Sequence, residues 1–268
     1  MSAPIARPAA ALSAGIEGIG YWSRGLPDWN AARAYALGQA DAVADAPTRP
    51  APTLLAANER RRAPETVAVA LEVALAACQA AGRDPAGLSS VFASSHGDMQ
   101  ITDYMCATLA SEPRTISPTR FHNSVHNAAA GYWTIGAGAM RPATALSALQ
   151  ASFAQGLIEA LSQIATGEDA ALLVGYDGGG YGPLAEIAHS QGLLGGALVL
   201  TRAREGLPTL RAWLGESAQS EPGRLAQREA GNASAPMLPL FDALAARHDR
   251  VALPAGAGRS LWVELSHD

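Results

Sequence analysis

The sequence has little cysteine, little charge and few aromatic residues for its length. Only two of the 268 residues are cysteines, Cys78 and Cys106, which is too few for a disulfide framework or a thiolate zinc site. This fits a reducing compartment, and we expect a cytoplasmic protein. Charged residues make up 16% and aromatic residues 6%, whereas 49% are hydrophobic. That balance argues against disorder and is typical of small-residue helices packed closely on a sheet.

The sequence also shows no basic bias, and neither a leader nor a membrane span is expected. A net charge of -5 gives no electrostatic reason to approach a phosphate backbone, so nucleic acid is not an expected partner. Proline and arginine interrupt the weakly apolar residues 1–15, which therefore lack the uninterrupted core of a signal peptide. No stretch approaches the length of a membrane-spanning helix.

Periodicity and turn residues predict strands that alternate with helices. The clearest helix lies between Pro64 and Gly82, where apolar residues recur every three or four positions. A short helix is expected within residues 27–39, and further helices over 99–109, 121–140, 151–164 and 237–247. Strands are expected over 12–21, 89–95, 143–149, 170–176, 195–201, 207–214 and 260–265. The strands at 195–201 and 207–214 are predicted to form a hairpin.

The order of these elements predicts a single α/β domain over residues 1–268. The strand, helix and strand between residues 143 and 176 have short connections, which is the βαβ pattern of a parallel sheet. The core is expected over about residues 12–214, a polar linker over 216–235, and a closing helix and strand over 237–265. No internal repeat is evident, which argues against solenoids and propellers.

Three stretches resemble, in order, the N-terminal half of ketoacyl synthases of the thiolase fold. Residues 59–95 are similar to the family's arginine-led helix, turn and strand, and residues 117–140 to the segment entering its dimer-interface helix. Residues 147–179 resemble the nucleophile strand, elbow and helix, and residues 194–203 the closing strand. The resemblance implies half of a thiolase-like fold, with a mixed sheet flanked by helices.

The nucleophile position is where the sequence departs from an active ketosynthase. Active members carry Ser-x-x-Cys-x-Ser, whereas residues 147–152 read SALQAS, so that Gln150 falls on the cysteine. A cysteine at a helix N-terminus is activated as a thiolate by the dipole and the free N–H groups, and a glutamine amide supplies no thiolate. The same substitution is found in chain length factors of polyketide ketosynthases and in decarboxylating ketosynthase variants.

A second departure concerns the family's two catalytic histidines. They lie in its C-terminal half, and this sequence has no EAHGTGT-like and no NSFGFGG-like stretch. Residues 117–127 (SPTRFHNSVHN) are similar to a run in the short chain length factors of bacterial aryl-polyene clusters. This resemblance implies a subunit without condensing activity of its own. It would form a heterodimer with a full-length ketosynthase in polyene, polyketide or fatty-acid-like biosynthesis and would also meet an acyl carrier protein.

The residues expected to approach the partner's acyl tunnel or the interface lie in two segments. They are Phe121, His122, Asn123, His126, Asn127, Ser147, Gln150, Ser152 and Phe153. None is assigned a catalytic role. Two alternatives remain: Gln150 could donate hydrogen bonds to an enolate and so support decarboxylation of a malonyl thioester, or the protein could only bind an acyl carrier protein as a scaffold.

Other motifs have simpler explanations than a metal or cofactor site, and neither is expected. His122 and His126 are spaced i, i+4 but have no identifiable third ligand. Residues 175–182 (GYDGGGYG) lack the lysine and the spacing of a phosphate loop and are expected to form a turn. Residues 94–98 (SSHGD) are expected to form a strand-end loop, because adjacent side chains cannot converge as a triad. Cys106 is expected to be a buried small hydrophobe.

Overall fold

The computed structural model describes residues 11–267, which form an eight-stranded mixed sheet with helices on both faces. The strands are β1 (Leu12–Ser23), β2 (Ser89–Ala93), β3 (Ala143–Leu146), β4 (Ala170–Asp177), β5 (Leu194–Thr201), β6 (Thr209–Glu216), β7 (Arg250–Gly256) and β8 (Arg259–Ser266). Their spatial order is β3-β2-β4-β5-β1-β6-β8-β7. β2 runs parallel to β3 and β4, and the remaining pairs are antiparallel. The expected α/β class, a mixed sheet flanked by helices, is confirmed.

The helices connect the strands and cover the sheet. They are α1 (Trp29–Ala36), α2 (Ala57–Arg62), α3 (Glu65–Ala81), α4 (Met99–Ser111), α5 (Pro118–Asn123), α6 (Ala128–Ala137), α7 (Ser152–Ala165), α8 (Arg224–Arg228) and α9 (Leu238–Ala246). None of the helices within residues 11–267 combines the length and the apolar character needed to span a bilayer.

Helix α3, the clearest helix in the sequence, crosses the sheet in backbone contact with β1. It ends as expected at Gly82, whose φ of 63° is left-handed. A Cβ atom on Gly18 would lie 2.1 Å from the carbonyl oxygen of Ala77. One on Gly20 would lie 2.0 Å from that of Val73. Only glycine permits an approach this close, and the glycines of β1 therefore fix where the helix crosses.

Apolar side chains form a core on each face of the sheet. On one face α7 and α9 pack over the strands, and the buried residues include Phe153, Leu157, Leu161 and Phe241. On the other face α3 and α6 pack, and the buried residues include Leu71, Val73, Phe92 and Trp133. The alternation of β4 serves both cores, because Leu173 belongs to the first and Leu172 to the second.

The hairpin predicted from β5 and β6 is wrong, because β1 lies between the two strands. Gly15 of β1 is opposite Thr201 on β5 and opposite Thr209 on β6. The hairpin that does form joins β7 to β8, where Leu253 is opposite Leu261. Local turn residues cannot reveal that a strand from the start of the chain inserts between two later ones.

The single helix predicted over residues 121–140 is also wrong, because α5 and α6 are separate. α5 begins earlier than expected, where Ser117 caps the helix and Pro118 occupies its first turn. It ends at Ser124, whose hydroxyl donates to the Phe121 carbonyl at 2.8 Å. His126 lies in the break between the two helices, and its Nε2 is 3.0 Å from the carbonyl oxygen of Ser94.

Two further expectations are corrected by the surface of the molecule. Cys106 is exposed rather than buried, because α4 runs along the surface and buries only Met99. The segment expected to be a polar linker contains α8, whose first turn is held by the next helix. The carboxylate of Asp242 accepts hydrogen bonds from the backbone N–H groups of Leu225 and Ala226, each at 3.0 Å.

Candidate functional site

Gln150 lies in the turn between β3 and α7, at the carboxyl ends of the parallel strands. A 3-10 turn over Leu149–Ala151 leads into the helix, and Gln150 is exposed there. Leu149 has a φ of 53°, a left-handed conformation that is unfavourable for a leucine. Such a sharp turn presents the following side chain to solvent at the N-terminus of α7, where free N–H groups favour negative charge.

The two serines that flank Gln150 hold this turn in place. The Ser152 hydroxyl donates to the Leu149 carbonyl at 2.7 Å and accepts from the Ala148 N–H at 3.0 Å. The Ser147 hydroxyl donates to the Ser95 carbonyl at 2.9 Å. The hydroxyl of Ser95 in turn donates to the Leu149 carbonyl at 3.0 Å. These bonds stabilise the strained residue and link the turn to the loop after β2.

Gln150 faces a cleft of about 830 Å³. Its walls come from the ends of β2 and β3, from residues 187–189 and 230–236, and from the turn between β7 and β8. The polar residues in the lining are Ser95, His96, Gln150, His189, Ser217, Asn232 and Arg259. The cleft therefore brings two amides, two imidazoles and a guanidinium into one space large enough for a small-molecule ligand.

A buried carboxylate beneath the cleft holds its floor together. Asp177, at the end of β4, has no exposed surface. Its oxygens accept from the Ser94 and Ser234 hydroxyls at 2.7 and 2.6 Å. They also accept from the backbone N–H groups of Ser95 and His96 at 3.0 and 3.1 Å. Four donors compensate the desolvation of the charge, and the loop after β2 is thereby fixed to β4.

Sequence reasoning missed the part that Asp177 plays. The expectation of a glycine-rich turn over residues 175–182 treated the aspartate as part of a loop, although β4 extends through it. The signal was present in the sequence as a single acidic residue at the end of an otherwise apolar strand. Its partner Ser234 lies in the segment that was expected to be a linker, and no local pattern connects the two.

The 117–127 segment lies beside the cleft and contributes no lining residue to it. His126 contacts the loop after β2 through Ser94, and the ring of His122 packs edge-on against Tyr132 at 5.9 Å. Asn123 is buried, whereas Phe121 and Asn127 are exposed. No group of three or more metal-ligating side chains occurs within residues 11–267.

Phe153 and Gln150 point to different environments although they are three residues apart. Phe153 is buried in the first core, where its ring lies 6.1 Å from that of Phe241. It also packs beneath Gly175, on which a Cβ atom would lie 2.6 Å from Cδ2 of Phe153. Phe153 thus supports the turn from inside the protein, and Gln150 is the residue in the cleft.

The outer edge of β3 is unpaired within the described part of the chain. The carbonyls of Pro142 and Leu146 accept from the N–H groups of Ser90 and Ser94 at 2.9 and 3.2 Å. The even-numbered residues of β3 therefore bond to β2, and the N–H of Ala145 faces outward. Large apolar side chains are exposed on the neighbouring helices and connections, namely Leu109, Phe121, Val125, Ile135 and Met140.

Several proteins of known structure share this fold. In a search of solved structures, the chain is similar to a ketosynthase in complex with its chain length factor from Xenorhabdus doucetiae, with 22% identity and a TM-score of 0.75 over 94% of this chain and 99% of that one. It is similar to the ishigamide ketosynthase/chain length factor, with 15% identity and a TM-score of 0.70 over 95% and 99% of the two chains.

A third similar structure is a type II polyketide synthase acyl-carrier protein in complex with its ketosynthase bound to the hexaketide. The identity is 12% and the TM-score 0.69 over 97% of this chain and 100% of that one. At these identities the similarity establishes the fold, and the expected ketosynthase-like half of a thiolase fold is confirmed.

The sequence comparisons establish the family. No curated protein sequence matches the chain. The sequence profile of the beta-ketoacyl synthase N-terminal domain matches residues 29–263. The chain therefore belongs to the beta-ketoacyl synthase N-terminal domain family.

Proposed function

We propose that this protein is a non-condensing subunit, a chain length factor, that pairs with an active ketosynthase and helps to set the length of its acyl product. The observation that carries this proposal is Gln150, which occupies the exposed turn at the start of α7. The family's cysteine forms a thioester from this position, and a carboxamide has no nucleophilic sulfur with which to do so. The turn is retained, and the nucleophile is not.

The surface around β3 supports pairing with a second subunit. An unpaired strand edge attracts other strands unless it is charged, bulged or covered, and β3 carries only Ala, Thr and Leu. Ile135 is 76% exposed and Met140 is 95% exposed, which suits residues buried in a permanent interface. A ketosynthase with its chain length factor is the assembly described for two of the similar structures. We propose a heterodimer of that kind through β3 and the α5–α6 segment.

The same segment is proposed to close the partner's acyl tunnel. Phe121 is exposed at the end of α5 and provides a bulky apolar surface that a partner's tunnel could meet. Gln150 approaches from the turn, and Phe153 acts through the packing of α7 beneath it. Phe153→Ala is expected to lengthen or broaden the products of the reconstituted pair. Unchanged product lengths in an intact complex would show that the packing of Phe153 beneath the turn does not help to close the tunnel.

Co-purification tests the proposal directly. The tagged full chain would be expressed in its native host, and its partners would be identified by mass spectrometry. A ketosynthase in about equal amount is expected, and the pair should form chains that neither subunit forms alone. If the chain co-purifies with none of the ketosynthases encoded beside it, the chain-length-factor proposal fails.

A second candidate function is decarboxylation of a malonyl thioester delivered by an acyl carrier protein. It is favoured by the cleft, where exposed Gln150 shares one space with His96 and His189. The bond to the carboxylate would break with loss of CO₂, the Gln150 amide would stabilise the enolate, and an imidazolium would return a proton to carbon. The pure chain would be offered malonyl-carrier protein and assayed for acetyl-carrier product. Binding without acetyl product would leave only a scaffold role.

A further inference from the structure

A second pocket, remote from the Gln150 cleft, lies where α2, α4 and α5 meet. Its volume is about 310 Å³, and it shares no lining residue with the cleft. The polar residues of its lining are Arg62, Asp98, Gln100, Ser117, Thr119, Arg120 and Asn123. Three helices and their N-terminal caps thus bring two guanidinium groups, two hydroxyls, two amides and a carboxylate together in a space of small-ligand size.

Asn123 carries an unsatisfied hydrogen-bond acceptor at the base of this pocket. The residue is only 3% exposed, and its Oδ1 has no hydrogen-bond partner among the described residues. A buried polar atom without a partner lowers stability, and native proteins retain few of them. An acceptor in this state is available to a donor from a water or from a ligand that enters the pocket.

The electrostatics of the pocket favour an anion. Neither Arg62 nor Arg120 forms an ion pair with a carboxylate of residues 11–267. The guanidinium of Arg120 is held over the Tyr104 ring, 4.1 Å from its centroid. The single carboxylate of the lining, Asp98, already accepts from Thr66 Oγ1 at 2.8 Å and from a backbone N–H of its own helix at 2.9 Å.

We propose that this pocket binds the phosphate group of a phosphate ester. Arg62 and Arg120 would hold its anionic oxygens through charge-assisted hydrogen bonds, and Thr119 would add a hydroxyl donor. The Ser117 side-chain oxygen accepts from the backbone N–H of Arg120 at 3.4 Å, which leaves the Ser117 hydroxyl hydrogen free to point into the pocket. Asn123 Oδ1 accepts from the O–H of a singly protonated phosphate, a species present near neutral pH because the second pKa is about 6.

The phosphate could come from a free metabolite or from the phosphopantetheine arm of a carrier protein. Only the second source rests on the proposed function. Binding to the full chain would be followed by titration calorimetry with inorganic phosphate and with 4′-phosphopantetheine, and sulfate and pantetheine would serve as chemical controls. Equal affinities assign the site to a free phosphate, and a tighter phosphopantetheine complex assigns it to the carrier arm.

Substitutions separate this site from general attraction to arginine. Arg62→Ala and Arg120→Ala are each expected to weaken phosphate binding at least about tenfold, since each removes a charge-assisted contact. Arg61→Ala is the matched control, because Arg61 lies on the same helix, bonds to Asn58 and does not line the pocket. The proposal would be overturned if phosphate binding is not saturable. It would also be overturned if Arg61→Ala loses as much phosphate affinity as Arg62→Ala and Arg120→Ala.

Asn123→Ala gives a readout that a merely structural residue would not. It removes the unsatisfied acceptor, so the ligand-free variant should unfold at the same temperature as wild type or higher, while its phosphate affinity falls. Loss of stability together with unchanged affinity would show that Asn123 serves the fold and not a ligand. The measurement needs no ketosynthase, so its failure is distinct from failure of the chain-length-factor proposal.

Discussion

The Oδ1 atom of Asp177 lies 3.1 Å from the backbone nitrogen of His96, and this contact ties the end of β4 to the loop after β2. The same loop binds the Gln150 turn through Ser95 and the 117–127 segment through His126. One buried carboxylate therefore positions the three parts of the candidate site relative to each other.

Asp177→Ala is expected to destabilise the fold by at least about 3 kcal/mol, because it leaves four buried donors without an acceptor. Urea denaturation of the purified variant measures this, and Asp45→Ala, at an exposed position, is the control. A loss no larger than that of the control would mean that water replaces the carboxylate and that the floor of the cleft is not held by it.

Gln150→Cys is expected to create the most reactive thiol in the protein. The position is exposed at the N-terminus of α7, where the helix dipole and free N–H groups lower the pKa of a thiol. Alkylation by iodoacetamide at pH 7, followed by peptide mass spectrometry, should be about tenfold faster there than at Cys106, which is exposed within α4. Burial raises the pKa of Cys78 to about 12, so Cys78 should not react in the folded protein.

Equal alkylation rates at position 150 and at Cys106 would show that the turn does not activate a nucleophile. The family resemblance of the elbow would then have structural meaning only. Gln150→Glu tests the same effect with a different group, because the N-terminus of α7 should stabilise the negative charge of the glutamate.

Ala145→Pro is expected to abolish binding of the partner while the chain still folds. The N–H of Ala145 faces the free edge, so proline removes no bond to β2 and removes a donor only from the proposed ladder with the partner. Thr144→Pro is the matched control. The N–H of Thr144 faces β2, and its removal should destabilise the chain itself. Thermal unfolding and co-purification of both variants make the comparison. If Ala145→Pro retains the partner, β3 does not pair across the interface.

Ile135→Lys is expected to prevent association without unfolding the chain, because the side chain is exposed in the isolated protein. Ala129→Lys is the contrasting variant. Ala129 is buried in the second core, and a lysine there would place a charge inside this chain as well as near the interface. Size-exclusion chromatography with the partner tests both, and a wild-type complex with Ile135→Lys would contradict an α6 interface.

Asp242→Asn is expected to change how stability depends on pH. Burial raises the pKa of the Asp242 carboxyl, an effect that exceeds the opposing one of its two backbone donors. A raised pKa means that the folded state holds the proton more tightly than the unfolded state does. This contribution to stability is present below the unfolded pKa of about 3.9 and is lost as pH rises through the folded value.

The asparagine variant lacks that titration. Urea unfolding from about pH 4 upward should therefore show wild type losing stability relative to Asp242→Asn as pH rises through the folded pKa. Parallel pH profiles, or a relative gain by wild type, would mean that the hydrogen bonds from Leu225 and Ala226 outweigh burial.

The sequence predicted the helices and strands that local periodicity specifies and missed what depends on distant pairing. Helix α3 and the strand, helix and strand around Gln150 follow from apolar spacing and from Gly82. The insertion of β1 between β5 and β6 does not follow from local spacing, because no residue near Gly15 indicates which strands pair with β1. The Asp177 contacts are also non-local, because Ser94 precedes it by 83 residues and Ser234 follows it by 57. Gln150 was predicted from the family resemblance, whereas its neighbours in the cleft could be identified only from the three-dimensional structure.

The position of β1 also has a consequence for biosynthesis. Gly15 is synthesised well before its partners Thr201 and Thr209. At about 5–20 residues per second, the ribosome needs about 10–40 s to supply those partners. During this time the glycine-rich β1 lacks both of its neighbouring strands, and the sheet cannot close until β6 has been synthesised. We therefore expect nascent chains to engage chaperones before β5 emerges, and folding to be limited by closure of this long-range pair.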